Sequence, residues 1–252
     1  MVNNSMIKLK GRGYLIGNLP LLTLLILSLW VFSLCLNILP EALMQLLSEL
    51  PEKSRSFAVA VASVAVIFVL LFLFSLFDMG LHRFFLRKAE HRGGKVNDLF
   101  YYFSPSRSIG AFTFIIKYTL MKTGLFFLCF LPFFISLNFL FRLIKTSASL
   151  SVTAVMLLTV MLLFVNGCIF AFALKSSLFL VKYYYVNGVY LNFRHLISTS
   201  QHEMQNHKKS FLKLELSFVG WFFSCLFIFP IVYVLLYNGQ SKAVLAAEIM
   251  SE

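Results

Sequence analysis

Apolar residues in this chain come in long blocks, and the charged residues gather between them. Five runs carry no charge at all: 13–40, 56–77, 123–141, 146–174 and 216–241, from 19 to 29 residues long. A helix needs about 20 apolar residues to cross the hydrocarbon core. In lipid an open strand leaves its backbone polar groups without partners, so each run predicts a helical span. The third span is expected to start earlier, near Phe112, which places Lys117 and Lys122 in its first turns, where they snorkel to the interface. Lys8, Lys10 and Arg12 before the first run look like the basic region of a signal peptide. That run is far longer than the 7–15 apolar residues of such a leader, however. Its exit, Asn37-Ile38-Leu39-Pro40-Glu41, has no small-residue cleavage pattern, so it reads as an uncleaved first span.

The segments between spans are patterned as well. From Met79 to Arg92, Leu81, Phe84, Phe85 and Leu86 alternate with His82, Arg83, Arg87 and Lys88. This predicts a basic helix, either lying in the interface or extending span two. Gly93-Gly94 is expected to stop it, and Asn97 or Asp98 to cap a short aromatic helix over 99–103 that Ser104-Pro105 closes. In the second segment Val186, Val189, Tyr190, Phe193, Ile197 and Met204 recur at helical spacing. They predict an amphipathic helix on the bundle or the membrane surface. The apolar stretch 243–247 is too short to cross; fraying, lying on the surface and re-entering as a partial sixth span all stay open. The fold class is therefore all-α: a polytopic transmembrane helical bundle of about five spans with two cytoplasmic amphipathic segments, forming one integral membrane domain over 1–252. Both halves have two spans followed by a basic segment. That layout raises parallel half-repeats over 13–107 and 109–210.

Composition agrees with this picture. Hydrophobic residues make up 60% of the chain and charged residues 13%, against roughly 25% charged in soluble domains. Neither a disordered chain nor a soluble enzyme fits these values. The formal net charge is +12. Sorted by side, 17 Lys and Arg fall with the N-terminus, the segment 78–107, the segment 175–215, Lys117 and Lys122. Five fall opposite: Lys53, Arg55, Arg142, Lys145 and Lys242. The acidic residues divide five and five. The positive-inside rule puts the N-terminus in the cytoplasm, and five spans then put the C-terminus outside. The whole positive excess lies on the inner face.

Signs of chemistry are few. Cys35, Cys129, Cys168 and Cys225 each sit in an apolar run without CxxC spacing, so they read as small buried hydrophobes and not as a disulfide or zinc set. His195, His202 and His207 are spaced 7 and 5 apart, unlike a helical zinc pair, so no metal is expected. Ser200 and Ser210 lack the glycine pattern of a nucleophile elbow, and there is neither a P-loop nor a GxGxxG motif, so no catalytic residue and no cofactor are expected. Within the spans, Asp78 ends the second and can pair with Arg83 or His82. Asn166 lies deep in the fourth, and Asn138 near the outer end of the third. Asp78 and Asn166 are the candidate polar sites for packing or transport.

Leu15-Ile16-Gly17-Asn18, Val96-Asn97-Asp98-Leu99-Phe100 with Phe103, and Ser200, Met204 and Leu212-x-Leu214-x-Leu216-Ser217-Phe218-Val219-Gly220-Trp221 together resemble an uncharacterised bacterial multi-pass membrane family, domain of unknown function 975. Asn206 departs from its pattern, which has Gly there. The resemblance implies a helical bundle in the bacterial plasma membrane and implies no activity. The leading expectation is a non-enzymatic protein that meets anionic lipid head groups through Arg83, Arg87, Lys88, Arg92, Lys208 and Lys209, or a protein partner or second copy, and not nucleic acid. The alternative is a small-solute transporter or permease subunit with a path between the half-bundles near Asn166.

Overall fold

The computed structural model describes residues 4–16, 23, 38, 45, 52–145, 149–188, 192–224 and 230–251. Every regular element among them is helical. In chain order these are α1 (Asn4–Ile16), α2 (Glu52–Ala89), 3₁₀ turns at Val96–Asp98 and Tyr101–Phe103, α3 (Pro105–Lys145), α4 (Leu150–Ser177), α5 (Val181–Val186), α6 (Phe193–Ser224) and α7 (Pro230–Ser251). Three helical stretches are long and apolar enough to cross a membrane: Phe57–Ala89, Pro105–Lys145 and Ser151–Val186. They correspond to the second, third and fourth predicted spans. Beyond Ile16 the first predicted span lies outside the described residues except at Thr23 and Ile38, and with it the comparison of the half-repeats.

At about 1.5 Å per residue, α2 and α3 run roughly 57 and 62 Å, nearly twice the thickness of a hydrocarbon core. Each therefore has two parts. Along the first half of α2, Phe57, Val61, Val64, Ile67 and Phe68 are exposed. So are Phe127, Phe134 and Ile135 of α3 and Val155, Leu158 and Met161 of α4. Apolar faces of this extent mark a lipid-facing surface. The buried core sits at the other end. There Leu76, Phe84 and Leu86 of α2 pack with Phe114 of α3, Val181 of α5, Phe211 and Phe218 of α6, Leu245 of α7 and Ile7 of α1. The molecule is thus a helical body from which three apolar helices project.

The segment after span two is an extension of that span, since α2 runs unbroken to Ala89. Its stop lies two residues earlier than the glycine pair. His91 takes the left-handed conformation at φ 58°. Arg92 N–H donates to the Arg87 carbonyl (2.9 Å) and His91 N–H to that of Lys88 (3.3 Å). This is the paired 6→1 and 5→2 closure of a helix end. Tyr14 Oη, 2.9 Å from His91 Nε2, ties the stop to α1.

The aromatic stretch after it forms two short 3₁₀ turns. Asp98 does not cap a following helix; it accepts from the Lys95 N–H (3.0 Å) and takes Arg87 at 2.7 Å and Arg83 at 3.4 Å. Gly80 lets these turns lie directly on α2, because a Cβ there would fall on the Leu99 carbonyl, which is backbone and cannot step aside. Ser104 and Pro105 close the turns and open α3 together. Proline at the first helical position gives up an N–H that has no partner there anyway.

In the second segment the helix begins at Phe193, after α5 and a turn at Asn187-Gly188 (Gly188 φ 83°). Leu196, Ser200, Met204, Phe211, Leu214 and Phe218 form its buried stripe, so it packs on the bundle. Ser200 Oγ donates to the Ser177 carbonyl at the end of α4 (2.8 Å).

The run 216–241 departs from its sequence reading. It is split between α6 and α7, and the Phe218 and Tyr237 rings meet edge to face at 5.0 Å. One continuous helix would hold residues 19 apart at roughly 28 Å. The two helices are therefore antiparallel neighbours, and this run is not a single crossing. α7 continues through the apolar tail, where Ala243, Val244, Leu245, Ala246 and Ile249 are buried. α7 also packs on α1: Lys10 Nζ meets Glu248 Oε1 at 2.9 Å, and Tyr237 Oη donates to the Lys8 carbonyl at 3.3 Å. The open question about the tail is answered by packing inside the body.

Candidate functional site

Where the apolar helices enter the body, six helices deliver charged side chains to one region. Asp78 of α2 takes Lys182 of α5 at 2.6 Å. His82, one turn on from Asp78, donates through Nδ1 to the Asp78 carbonyl (2.8 Å) and lies 3.4 Å from its carboxylate. Glu215 of α6 is held by Lys242 of α7 at 2.6 Å and by Lys175 of α4 at 3.1 Å. Lys122 of α3 interacts with the charges of Lys182, Lys175, Lys242 and Asp78. It makes no ion pair with any described residue. Four ammonium groups thus face two carboxylates, with a surplus of positive charge centred on Lys122.

Burial alone would raise the Glu215 carboxyl. The hydrogen bond and charge of Lys242, followed by the charge of Lys175, outweigh it and hold the group below the ordinary carboxylate range. Burial lowers Lys242, against the pull of Glu215. A charge surplus that is partly desolvated attracts an anion more strongly than the same charges in open water.

Directly beside the cluster, α3 and α4 part to leave a cavity of about 420 Å³. Lys122 and Lys175 line its body end, and Phe126, Phe130, Cys168 and Phe172 line the rest. Gly167 makes the closing contact, since a Cβ there would come within 3.0 Å of the Phe130 ring. Phe130 and Phe133 also pack on Phe164. An apolar slot with cations at one end matches an amphiphile, with its acyl chain along the slot and its anionic head at the lysines.

The residues expected from sequence fall in several places. Arg87, Lys88, Arg92, Lys208 and Lys209 remain accessible at the surface of the body, with Arg87 on Asp98 and Arg92 3.4 Å from Glu90. Arg83 turns inward. Its side chain is 11% exposed, donating to Asp98 and to the Val186 carbonyl (3.2 Å). Asp78 pairs with His82 and Lys182, and Arg83 belongs to Asp98 instead. Asn166 lies on the exposed face of α4, apart from the Asp78 cluster and outside the groove lining. Sequence reasoning missed Lys175, Lys182, Glu215 and Lys242 as a group. The one available signal was that Lys122, Lys175, Glu215 and Lys242 each border an apolar run. Compared with known proteins, the chain matches no family model, no curated protein and no solved structure.

Proposed function

We propose that this chain is a multi-pass protein of the bacterial plasma membrane with a binding role, holding one anionic phospholipid in the groove between α3 and α4. In this reading the body faces the cytoplasm, in keeping with the excess of Lys and Arg in the segments that build it. The three apolar helices and the predicted run 13–40 make four crossings. The observation that carries the reading is the apolar groove ending at Lys122 and Lys175, with Lys122 lacking a described counter-ion. A head group at this depth gains about 1 kcal/mol from each nearby lysine. Asn166 supplies no second polar surface to the groove, so we do not adopt the transport reading.

Photo-crosslinking tests this directly. With a benzophenone amino acid in place of Phe126, bilayers of mixed phosphatidylglycerol and phosphatidylcholine are expected to yield an adduct of mainly phosphatidylglycerol mass. Adducts in proportion to bilayer composition would count against the site.

A further inference from the structure

A second cavity, of about 460 Å³, opens on the body where the second 3₁₀ turn meets the start of α3. It shares no residue with the lysine groove. Two arginines converge on it. The guanidinium carbons of Arg83 and Arg107 lie 3.5 and 4.0 Å from the centre of the Tyr101 ring. Two guanidinium groups cannot share one face at that range, so they cover opposite faces of the ring. A guanidinium lying on a ring keeps its N–H donors at its edge, free for a ligand. Arg83 directs donors to Asp98 and Val186. The Arg107 N–H donates to the Ser104 carbonyl (2.9 Å), but its guanidinium makes no hydrogen bond or ion pair with any described residue. The other walls include Tyr102, Tyr185, Ser106 and Asn187, and among the described residues no carboxylate lines the space. Asp98 is shared between Arg83 and Arg87, and no described carboxylate pairs with Arg107. Ser106 and Arg107 also stand in the first turn of α3, whose 41 residues direct their positive dipole end here.

We infer that this cavity is a binding site for a phosphomonoester, gripped by the edge of Arg107 with Arg83, Ser106 and the start of α3. An arginine edge matches phosphate with two parallel charge-assisted hydrogen bonds. The cavity exceeds the size of inorganic phosphate, and Tyr102 and Tyr185 give the organic part of the ligand an aromatic wall. A soluble sugar phosphate and the head of phosphatidate present the same group, so the test separates these sources.

The full-length purified protein is titrated calorimetrically with glucose 6-phosphate in detergent. In parallel it is placed in nanodiscs of phosphatidylcholine with or without phosphatidate, and lipid retention is weighed. Binding in the first arm alone assigns a soluble ligand, and retention in the second alone assigns the lipid. In either case Arg107→Gln is expected to weaken binding about tenfold, one bidentate contact's worth. Lys213→Gln, an exposed charge outside the cavity, should stay within about twofold. No binding in both arms by folded protein would overturn the inference, as would equal loss in the two variants. Should Arg107→Gln not fold, Ser106→Asp puts a negative charge where a helix start tolerates it. Retained binding in that variant would be equally decisive against the site.

Discussion

Replacing Glu215 by Gln is expected to destabilise the body by about 3 kcal/mol at neutral pH, the lower end of what breaking a buried ion pair costs. Glu215 is 16% exposed and joins Lys242 of α7 to Lys175 of α4. Without the carboxylate, Lys242, 21% exposed, stays largely desolvated and loses its described counter-ion. In a chain of this size that loss lowers the melting temperature by roughly 6–12 °C, readable by intrinsic fluorescence in detergent. The pH dependence gives a second signature. The folded carboxyl titrates below its ordinary range, so its contribution is complete above that range and is lost as pH falls through the folded value. The gap between wild type and variant should therefore narrow below about pH 4. Lys242 is held below its ordinary value by burial, more so in the variant, so the unfolded chain binds its proton more tightly. The variant then regains stability as pH rises toward about 10. By contrast, Lys175→Gln should cost under about 1 kcal/mol, because this lysine is 47% exposed and Lys242 still answers Glu215. Equal losses in the two variants would mean that Glu215 is not the tie between α6 and α7.

The second large effect is all-or-none. Reporters fused to the two ends of the chain are expected to read out on the same side of the membrane. The basis is the direct packing of the N-terminal helix on the last two: Asn4 Nδ2 donates to the Ser210 carbonyl (3.3 Å), Lys8 Nζ to the Ser217 carbonyl (3.3 Å), and Lys10 pairs with Glu248. A bilayer cannot lie between helices in contact. With a cytoplasmic body, green fluorescent protein at either end fluoresces and alkaline phosphatase at either end stays silent. Five crossings would instead separate the ends, and an active phosphatase at the C-terminal end alone would contradict the fold-back of α7.

The three described spans were legible because absence of charge over twenty or more residues has few other physical meanings. The buried stripe of α6 was partly legible in the 3.6-residue spacing that singled out Met204. The fold-back of 216–241 was not legible. Both arms of the hairpin are apolar, so hydropathy cannot tell two helices packed on each other from one helix in lipid. Pro230, which opens α7, was the available mark of a new helix start. The stop at His91 was misplaced because a left-handed residue is expected to be glycine, whereas here the contact with Tyr14 accompanies a histidine in that conformation. The charge cluster was hidden for another reason. Asp78, Lys122, Lys175, Lys182, Glu215 and Lys242 come from six helices and share no spacing. The sequence logic of topology assigned Lys122 to the interface and Lys175 and Lys242 to opposite sides of the membrane; only the return of α7 brings these last two to one carboxylate.

In the proposed function an anionic lipid is seated at Lys122. Native mass spectrometry of the protein released from bilayers of equal phosphatidylglycerol and phosphatidylcholine weighs that claim directly. Wild type is expected to retain one phosphatidylglycerol, and Lys122→Gln, which breaks no described ion pair, should retain it about fivefold less, the equivalent of roughly 1 kcal/mol. A bare protein, or the same lipid retention in both forms, would contradict it.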